Sequence, residues 1–371
     1  MCKRFIRMLR WKWVSIIGII WRMNDVCGIV GILNEFGEVV SGKMVIQATN
    51  AMEYRYNGLG GGFAGYGIYP KHKDFYALHI LFPNDEKKRE VEEILAENVK
   101  IIHDEVIPTR ESSPLSSNYI PWRYFVDPLN TSPENSDDAI IKLVMHISRK
   151  VKDVAVLSSG KNMGVFKATG YPREVADLFK IDEYKAYLWI GHGRYPTNTP
   201  GWWGGAHPFN ILDWSVVHNG EISSYDTNRR FLKMWGYDCN LLTDTEVIAY
   251  VFDLLVRKHG LPLKLAAYAM APPFWKQIDR LKENELKTIK AIRMVYGSAL
   301  LNGPFSIVVG RSNAMIGMTD RIKLRPLIAA KKGEMSLLSS EESSIRSVCP
   351  DPDVIWAPKA GEPVVTTVGG N

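Results

Sequence analysis

Segments with strand character enclose one long block of helical sequence, and this order is the feature that most constrains the fold. Short strands are predicted from residue 28 up to about 220, and strands return from 304 onward. Between them, "TDTEVIAYVFDLLVRK" begins with a capping-box pattern, Thr243-x-x-Glu246, and continues with apolar residues at helical spacing. Helical sequence extends to about 296, without the strand–helix alternation of βαβ units. We therefore expect helical layers packed on sheets.

The basic character of the chain is confined to its first 26 residues. Six Lys and Arg residues and Asp25 give this leader a charge of +5, out of +6 for the whole chain. Because the remainder is nearly neutral, it offers no broad basic surface for a phosphate backbone, and we predict no nucleic-acid partner.

The leader also contains an apolar stretch, Trp13 to Trp21, which is nine residues long, whereas a membrane span needs about 20. We therefore expect no membrane span, and a membrane-anchored protein is the weakest interpretation. Three interpretations of residues 1–26 stay open: a cleaved propeptide, a secretory signal, or a translation start placed too early, with Met23 the true one.

The cysteines give no metal-binding pattern. Cys2, Cys27, Cys239 and Cys349 are widely spaced, and none forms a Cys-x-x-Cys pair. The sequence therefore predicts neither a zinc ribbon nor an iron–sulfur cluster in this chain, and it suits a reducing, cytoplasmic location.

A segment at about 84–150 is predicted to be an insertion. Residues 85–101 and 137–150 are expected to be helical, residues 108–135 irregular because they are rich in Pro, Ser and Asn, and 153–157 a strand. Before this segment, Gly60-x-Gly62-x-x-Gly65 formally matches a dinucleotide fingerprint, but strand-like sequence follows it instead of a helix. We interpret these glycines as a place of close backbone approach.

Four motifs occur in order: "CGIVGI" from Cys27, "GHGRYPTNTPGWWGGAHPF" around Arg194, "VHNGEI" around Asn219, and "TDTE" around Asp244. Each alone has a structural explanation: a core thiol, a surface charge, an Asn-Gly hairpin turn, or an acidic residue at a helix start. Together they resemble the class II, N-terminal-nucleophile glutamine amidotransferases, over roughly 345 residues. The resemblance implies an α+β fold, a four-layer αββα sandwich, for residues 27–371.

Within this family, "RYPTNTPGWW", "AHPF" and "HNGEI" look most like the glutaminase component of glutamate synthase. "SSGKNMGVFKATGYP" at 158–172 is similar to the stand-alone subunit of the split, archaeal-type enzyme. The resemblance implies L-glutamine as substrate and a partner subunit that aminates 2-oxoglutarate with the released ammonia. No cofactor is expected in this chain, whereas FMN and an iron–sulfur cluster are expected on the partner. An amidotransferase for an amino-sugar or phosphoribosyl acceptor, and a non-catalytic glutamine-binding subunit, stay open as alternatives.

The resemblance assigns the chemistry to three residues. Cys27 would attack the side-chain amide of glutamine and form a thioester, and Asn219 and Gly220 would form the oxyanion hole. The base would be the α-amino group of Cys27, whose ordinary pKa of about 7.7–8.0 suits proton transfer near neutral pH. A peptide-bonded nitrogen is not basic, so this base does not exist while Val26 is attached.

Further residues are assigned to substrate binding. Arg194 would hold the α-carboxylate of glutamine and Asp244 its α-ammonium, while Thr197 and His218 complete the predicted substrate contacts. His192, His207 and His218 lie 15 and 11 residues apart, which matches no compact ligand pattern. We therefore predict no metal site and expect these histidines in loops and turns.

Overall fold

Two antiparallel sheets pack face to face at the centre of the protein. The computed structural model describes residues 26–115, 119–195, 202–241 and 243–369. The first sheet has seven strands: β1 (Gly28–Asn34), β3 (Gly61–Tyr66), β8 (Met163–Ala168), β10 (Leu188–Gly193), β15 (Ile328–Lys332), β16 (Met335–Ser339) and β17 (Val354–Trp356). Their order across the sheet is β17-β15-β16-β1-β10-β3-β8, so the strand that follows Cys27 is central.

The second sheet has five strands: β11 (Phe209–Ile211), β12 (Trp214–Gly220), β13 (Phe305–Arg311), β14 (Ala314–Thr319) and β18 (Val364–Thr367). They follow one another in this order, and β12 and β13 face β1 and β10 of the first sheet. Every residue of β1 is buried, because one face of its sheet meets the second sheet and the other meets helices.

Helices cover both outer faces. The first sheet carries α1 (Lys43–Asn50), α4 (Pro172–Leu178) and α10 (Glu342–Val348). On the second sheet lie α5 (Tyr225–Met234) and α6 (Asp244–Phe252, continued by a π-helical turn Asp253–Lys258), with α7 (Leu263–Met270), α8 (Trp275–Ile278) and α9 (Glu283–Val295) outside them. The predicted four-layer αββα sandwich is therefore confirmed.

A third sheet adjoins the sandwich. Its strands are β4 (Tyr76–Phe82), β5 (Val99–Val106), β6 (Ile120–Pro128) and β7 (Ala155–Ser158), in the order β5-β6-β4-β7. The helices α2 (Asp85–Asn98) and α3 (Ser136–Lys150) pack on it, and β7 contacts β8 and β11 of the two main sheets. A small pair, β2 (Val40–Ser41) with β9 (Lys185–Ala186), completes the strands of the described residues.

Two sequence predictions about this region were wrong. The helix predicted to reach residue 101 ends at Asn98, and strand β5 begins at Val99. Strand β6 lies inside the segment 108–135, which was expected to be irregular. Its prolines, Pro121 and Pro128, lie at or next to the strand ends, where a missing backbone donor is tolerated.

The prediction of a hairpin turn at Asn219-Gly220 was also wrong. Gly220 is the last residue of β12, and the chain continues into helix α5 instead of turning into a neighbouring strand. Gly220 has φ +139, and a Cβ atom there would lie 1.9 Å from the carbonyl oxygen of Pro304. The close-approach interpretation of the glycine-rich segment is confirmed, because a Cβ on Gly62 would lie 2.3 Å from the carbonyl oxygen of His207.

Both main sheets and the helix that begins at Asp244 direct the predicted site residues to one end of the sandwich.

Candidate active site

Cys27 lies immediately before the central strand β1. Strand pairing places Gly28 opposite Gly193, which brings Cys27 beside the residues that follow β10. The backbone N–H of Tyr195 donates to Cys27 Sγ at 3.3 Å, and Arg55 Nε donates to the Cys27 carbonyl oxygen at 3.2 Å. Arg55 therefore holds the backbone of Cys27, whereas the thiol itself contacts the backbone of Tyr195.

The surroundings of Cys27 keep its thiol protonated. Burial raises the pKa of the Cys27 thiol above its usual value, and the Tyr195 N–H and the Arg194, Arg325 and Arg55 charges offset this only in part. Among the described residues, no imidazole or carboxylate hydrogen-bonds to Sγ. No described side chain is therefore placed to take the proton of this thiol.

Asn219 is connected through a serine to β1, the strand that follows Cys27. The side-chain amide of Asn219, which is buried, donates to Ser340 Oγ at 3.4 Å. The same oxygen accepts the backbone N–H of Ile29 at 3.2 Å, and the N–H of Ser340 donates back to the carbonyl of Ile29 at 3.1 Å. Ser340 thus gives Asn219 and the strand that follows Cys27 one shared support.

Arg194 lies near both Cys27 and Asp244. Its side chain is buried, and its backbone N–H donates to the Gly60 carbonyl at 2.8 Å, directly after β10. Burial lowers the pKa of Arg194, and the nearby Cys27 and Asp244 act on it in the opposite direction. Cys27, Arg194 and Asp244 therefore occupy one electrostatic neighbourhood.

Asp244 is the first residue of α6 and is prepared to carry a negative charge. Its Oδ2 accepts the backbone N–H of Ile222 at 2.9 Å, and its Oδ1 accepts the hydroxyl of Thr245 at 3.2 Å. His218 Nδ1 lies 3.5 Å from Oδ1. Burial raises the pKa of Asp244, but His218 and these hydrogen bonds outweigh it and hold the pKa below its usual value.

The three histidines are in the interior, which the sequence did not predict. His192 lies in β10 and His218 in β12, and His207 precedes β11. All three are buried, and the rings of His192 and His207 stack with centroids 4.1 Å apart. Burial lowers the pKa of His192 to about 3 and that of His207 well below its usual value. Within the described residues, no three His, Cys, Asp or Glu side chains have a metal-binding arrangement.

The structure unites most of the predicted site. Cys27, Arg194, Asn219 and Asp244 meet at one end of the sandwich, and Gly220 follows Asn219. His218 lies behind Asp244 and is almost wholly buried. Thr197 lies outside the described residues, and the chemical roles of all seven stay predictions.

Two expectations about the helix start had different outcomes. Thr243 caps α6, since its hydroxyl accepts the Thr245 N–H at 3.3 Å. Glu246 was expected to complete a capping box, but it instead accepts the backbone N–H groups of Asn240 and Leu241.

Sequence reasoning missed Arg55, Ser340 and Thr245. None of the three stands in a pattern that indicates a role, apart from the position of Thr245 within "TDTE".

Known proteins are similar to this chain over most or part of its length. The model of the family "Glutamine amidotransferases class-II" matches residues 137–352. A protein of Archaeoglobus fulgidus described as uncharacterized is 51% identical, covering 92% of both chains. A "putative glutamine amidotransferase" of Methanothermobacter thermautotrophicus is 28% identical over 87% of this chain and 93% of its own.

This chain matches only part of two further proteins. Glutamine–fructose-6-phosphate aminotransferase of Vibrio vulnificus is 34% identical over 44% of this chain and 24% of its own. The solved glutamine phosphoribosylpyrophosphate amidotransferase of B. subtilis is 15% identical over 93% of this chain and 48% of its own, with a TM-score of 0.47. Because the family model matches more than half of the sequence, this chain belongs to the class II glutamine amidotransferases.

Proposed function

We propose that this chain is the glutaminase subunit of a glutamate synthase and acts when Cys27 is its first residue. It hydrolyses L-glutamine to glutamate and ammonia, and a separate synthase chain uses the ammonia to aminate 2-oxoglutarate. The observation that carries the glutaminase step is the gathering of a thiol, a buried guanidinium, a carboxamide and a charged carboxylate at one end of the sandwich.

Each end of free glutamine finds a complementary group in this arrangement. The α-carboxylate meets Arg194, and the α-ammonium meets Asp244, whose lowered pKa keeps it ionised at neutral pH. The side-chain amide then lies towards Cys27. Recognition of both α-groups excludes glutamine that is joined in a peptide.

The chemistry proceeds in two steps. The free amine of Cys27 takes the thiol proton as sulfur attacks the amide carbon, and the oxyanion is stabilised by the Asn219 side chain and the Gly220 N–H. Transfer of the proton to nitrogen releases ammonia and leaves a thioester, which water hydrolyses to glutamate. The raised pKa of Cys27 makes this base necessary, because little thiolate exists without it.

The acceptor part of the proposal rests on the resemblance of "RYPTNTPGWW" and "HNGEI" to glutamate synthase. FMN and an iron–sulfur cluster would belong to the synthase chain, where they would supply the electrons for reductive amination. The similarity to the Vibrio vulnificus aminotransferase supports an amino-sugar acceptor as the second candidate.

The glutaminase step is tested with two forms of the protein, one beginning at Cys27 and one retaining Val26 and the preceding residues. We expect glutamate and ammonia from the first form only. Cys27→Ala should abolish this turnover, whereas Cys349→Ala, which removes a buried cysteine outside the site, should not. Equal turnover by the form that retains Val26 would contradict the proposed base.

The acceptor is tested by supplying glutamine with an isotopically labelled amide together with the synthase chain from the same organism. Labelled glutamate formed from 2-oxoglutarate supports the proposal. Label in an amino sugar when fructose 6-phosphate is the acceptor, or in phosphoribosylamine, would replace it with the corresponding alternative.

A further inference from the structure

Thr245 is the hub of a buried hydrogen-bond network behind Asp244. Its side-chain oxygen lies 2.8 Å from His207 Nε2, 3.2 Å from His218 Nδ1 and 3.2 Å from Asp244 Oδ1. Thr245, His207 and His218 are almost inaccessible to solvent. A hydroxyl has one proton to donate and two lone pairs that accept, so three polar neighbours use its full capacity.

The proton arrangement of this network follows from the chemistry of its members. An ionised Asp244 can only accept, so the Thr245 proton points to Oδ1. His207 Nε2 and His218 Nδ1 must then both donate to Thr245. A neutral imidazole has one N–H, so in neutral rings His207 Nδ1 and His218 Nε2 are the nitrogens without a proton.

The buried atoms agree with this assignment. His207 Nδ1 and His218 Nε2 have no hydrogen-bond partner among the described residues, as expected for bare nitrogens and unfavourable for buried N–H donors. His192 fits the same pattern, because its Nε2 lies 3.0 Å from the His218 carbonyl oxygen while its Nδ1 has no partner among the described residues. The contacts therefore indicate which nitrogen of each ring makes the hydrogen bond.

We propose that Thr245 is a positioning residue for substrate recognition: its hydroxyl, oriented by His207 and His218, fixes the Asp244 carboxylate in the orientation that receives the α-ammonium of glutamine. This inference rests on the role proposed for Asp244. The second carboxylate oxygen is fixed by the Ile222 N–H at 2.9 Å, so the two bonds together define the carboxylate plane. Recognition of the amine is thereby built into the free protein.

The test compares ligands that have an α-amine with ligands that lack it. Thr245→Val keeps the shape of the side chain and removes the hydroxyl, and Thr245→Ser is the matched control that retains it. In the form beginning at Cys27, Thr245→Val should raise the KM for glutamine about tenfold with little change in kcat, the loss expected for one hydrogen bond to a charged group. Thr245→Ser should remain near the wild type.

A second readout requires no turnover. A diazoketone analogue of glutamine carries the α-ammonium, whereas iodoacetamide does not, and both alkylate Cys27, which peptide mapping follows. Thr245→Val should slow labelling by subsaturating diazoketone about tenfold and leave labelling by iodoacetamide unchanged. A change of the same size with both reagents would overturn the proposal, because it would indicate general damage to the site. If Thr245→Val does not fold, Thr245→Ala carries the same expectation.

Asp244→Asn separates this inference from the proposed function. If Asp244→Asn weakens the diazoketone selectively and Thr245→Val does not, the inference about Thr245 fails alone. If Asp244→Asn does not discriminate between the two reagents, the proposed role of Asp244 fails as well.

Discussion

The two ends of the active site are built differently. At the binding end, Asp244 already has a lowered pKa and both of its oxygens accept hydrogen bonds, so its charge and orientation exist before substrate arrives. At the reactive end, burial raises the pKa of Cys27, and the thiol stays neutral. Under the proposed function, recognition is prepared in advance, whereas reactivity depends on one further group, the free amine of the same cysteine.

The largest effect should come from the oxyanion hole. Asn219→Ala is expected to lower kcat by roughly 10²–10³-fold, because the amide donor acts mainly on the charge that develops in the transition state. The KM for glutamine should change little, as measured by steady-state release of ammonia. A raised KM with unchanged kcat would place Asn219 at the binding end instead.

Asp244→Asn should have the opposite signature. Loss of the charge is expected to raise the KM for glutamine roughly 10- to 100-fold, the range for hydrogen bonds to charged groups, with kcat preserved at saturation. Isothermal titration with L-glutamate, compared with glutarate, which has no amine, provides the control. Equal losses for both ligands would show that Asp244 does not recognise the amine.

Ser340→Ala should have a smaller effect on kcat, up to about tenfold, because it removes a neutral hydrogen bond that only supports Asn219. The expected distinguishing result is non-additivity: Ser340→Ala should add almost nothing in the Asn219→Ala background. Independent, multiplicative effects in the double variant would contradict a shared support.

The pH dependence should separate the two ends without any mutation. A protonated amine cannot accept the thiol proton, so kcat/KM should fall about tenfold per pH unit below the ordinary amine pKa of about 7.7–8.0. The charge of Asp244 is lost only as pH falls through its lowered pKa, below the usual 3.9. The dissociation constant of glutamate, measured by titration, should therefore stay nearly constant from pH 8 to about pH 5. If the dissociation constant of glutamate rose in parallel with the loss of kcat/KM, the two ends of the site would not differ in their pH dependence.

The sequence predicted the sandwich because four motifs occur in the order typical of one family and because strand-like segments enclose a block of helical sequence. The same motifs contain the main candidate site residues. It did not predict Ser340, since the bond that gives this residue meaning joins positions 311 residues apart. The Asn-Gly pair wrongly predicted a hairpin because glycine is favoured in tight turns and also where a strand passes close to another backbone. Gly220 is of the second kind: it has φ +139 and lies where β12 passes the Pro304 carbonyl. The buried histidines were misplaced because His207 and His218 contact the Thr245 hydroxyl and His192 contacts the His218 carbonyl, and no spacing along the chain reveals these contacts.

The Ser340 hydroxyl hydrogen-bonds to Ile29 in one sheet and to Asn219 in the other, so it spans the interface between the two sheets. A slip of about 1 Å between the sheets would misalign the Asn219 amide, which is proposed for the oxyanion hole, while nearly all of the core stayed shielded from water. Turnover is therefore expected to decline at denaturant concentrations at which circular dichroism still reports intact secondary structure, which makes enzyme activity an early gauge of slippage between the two sheets.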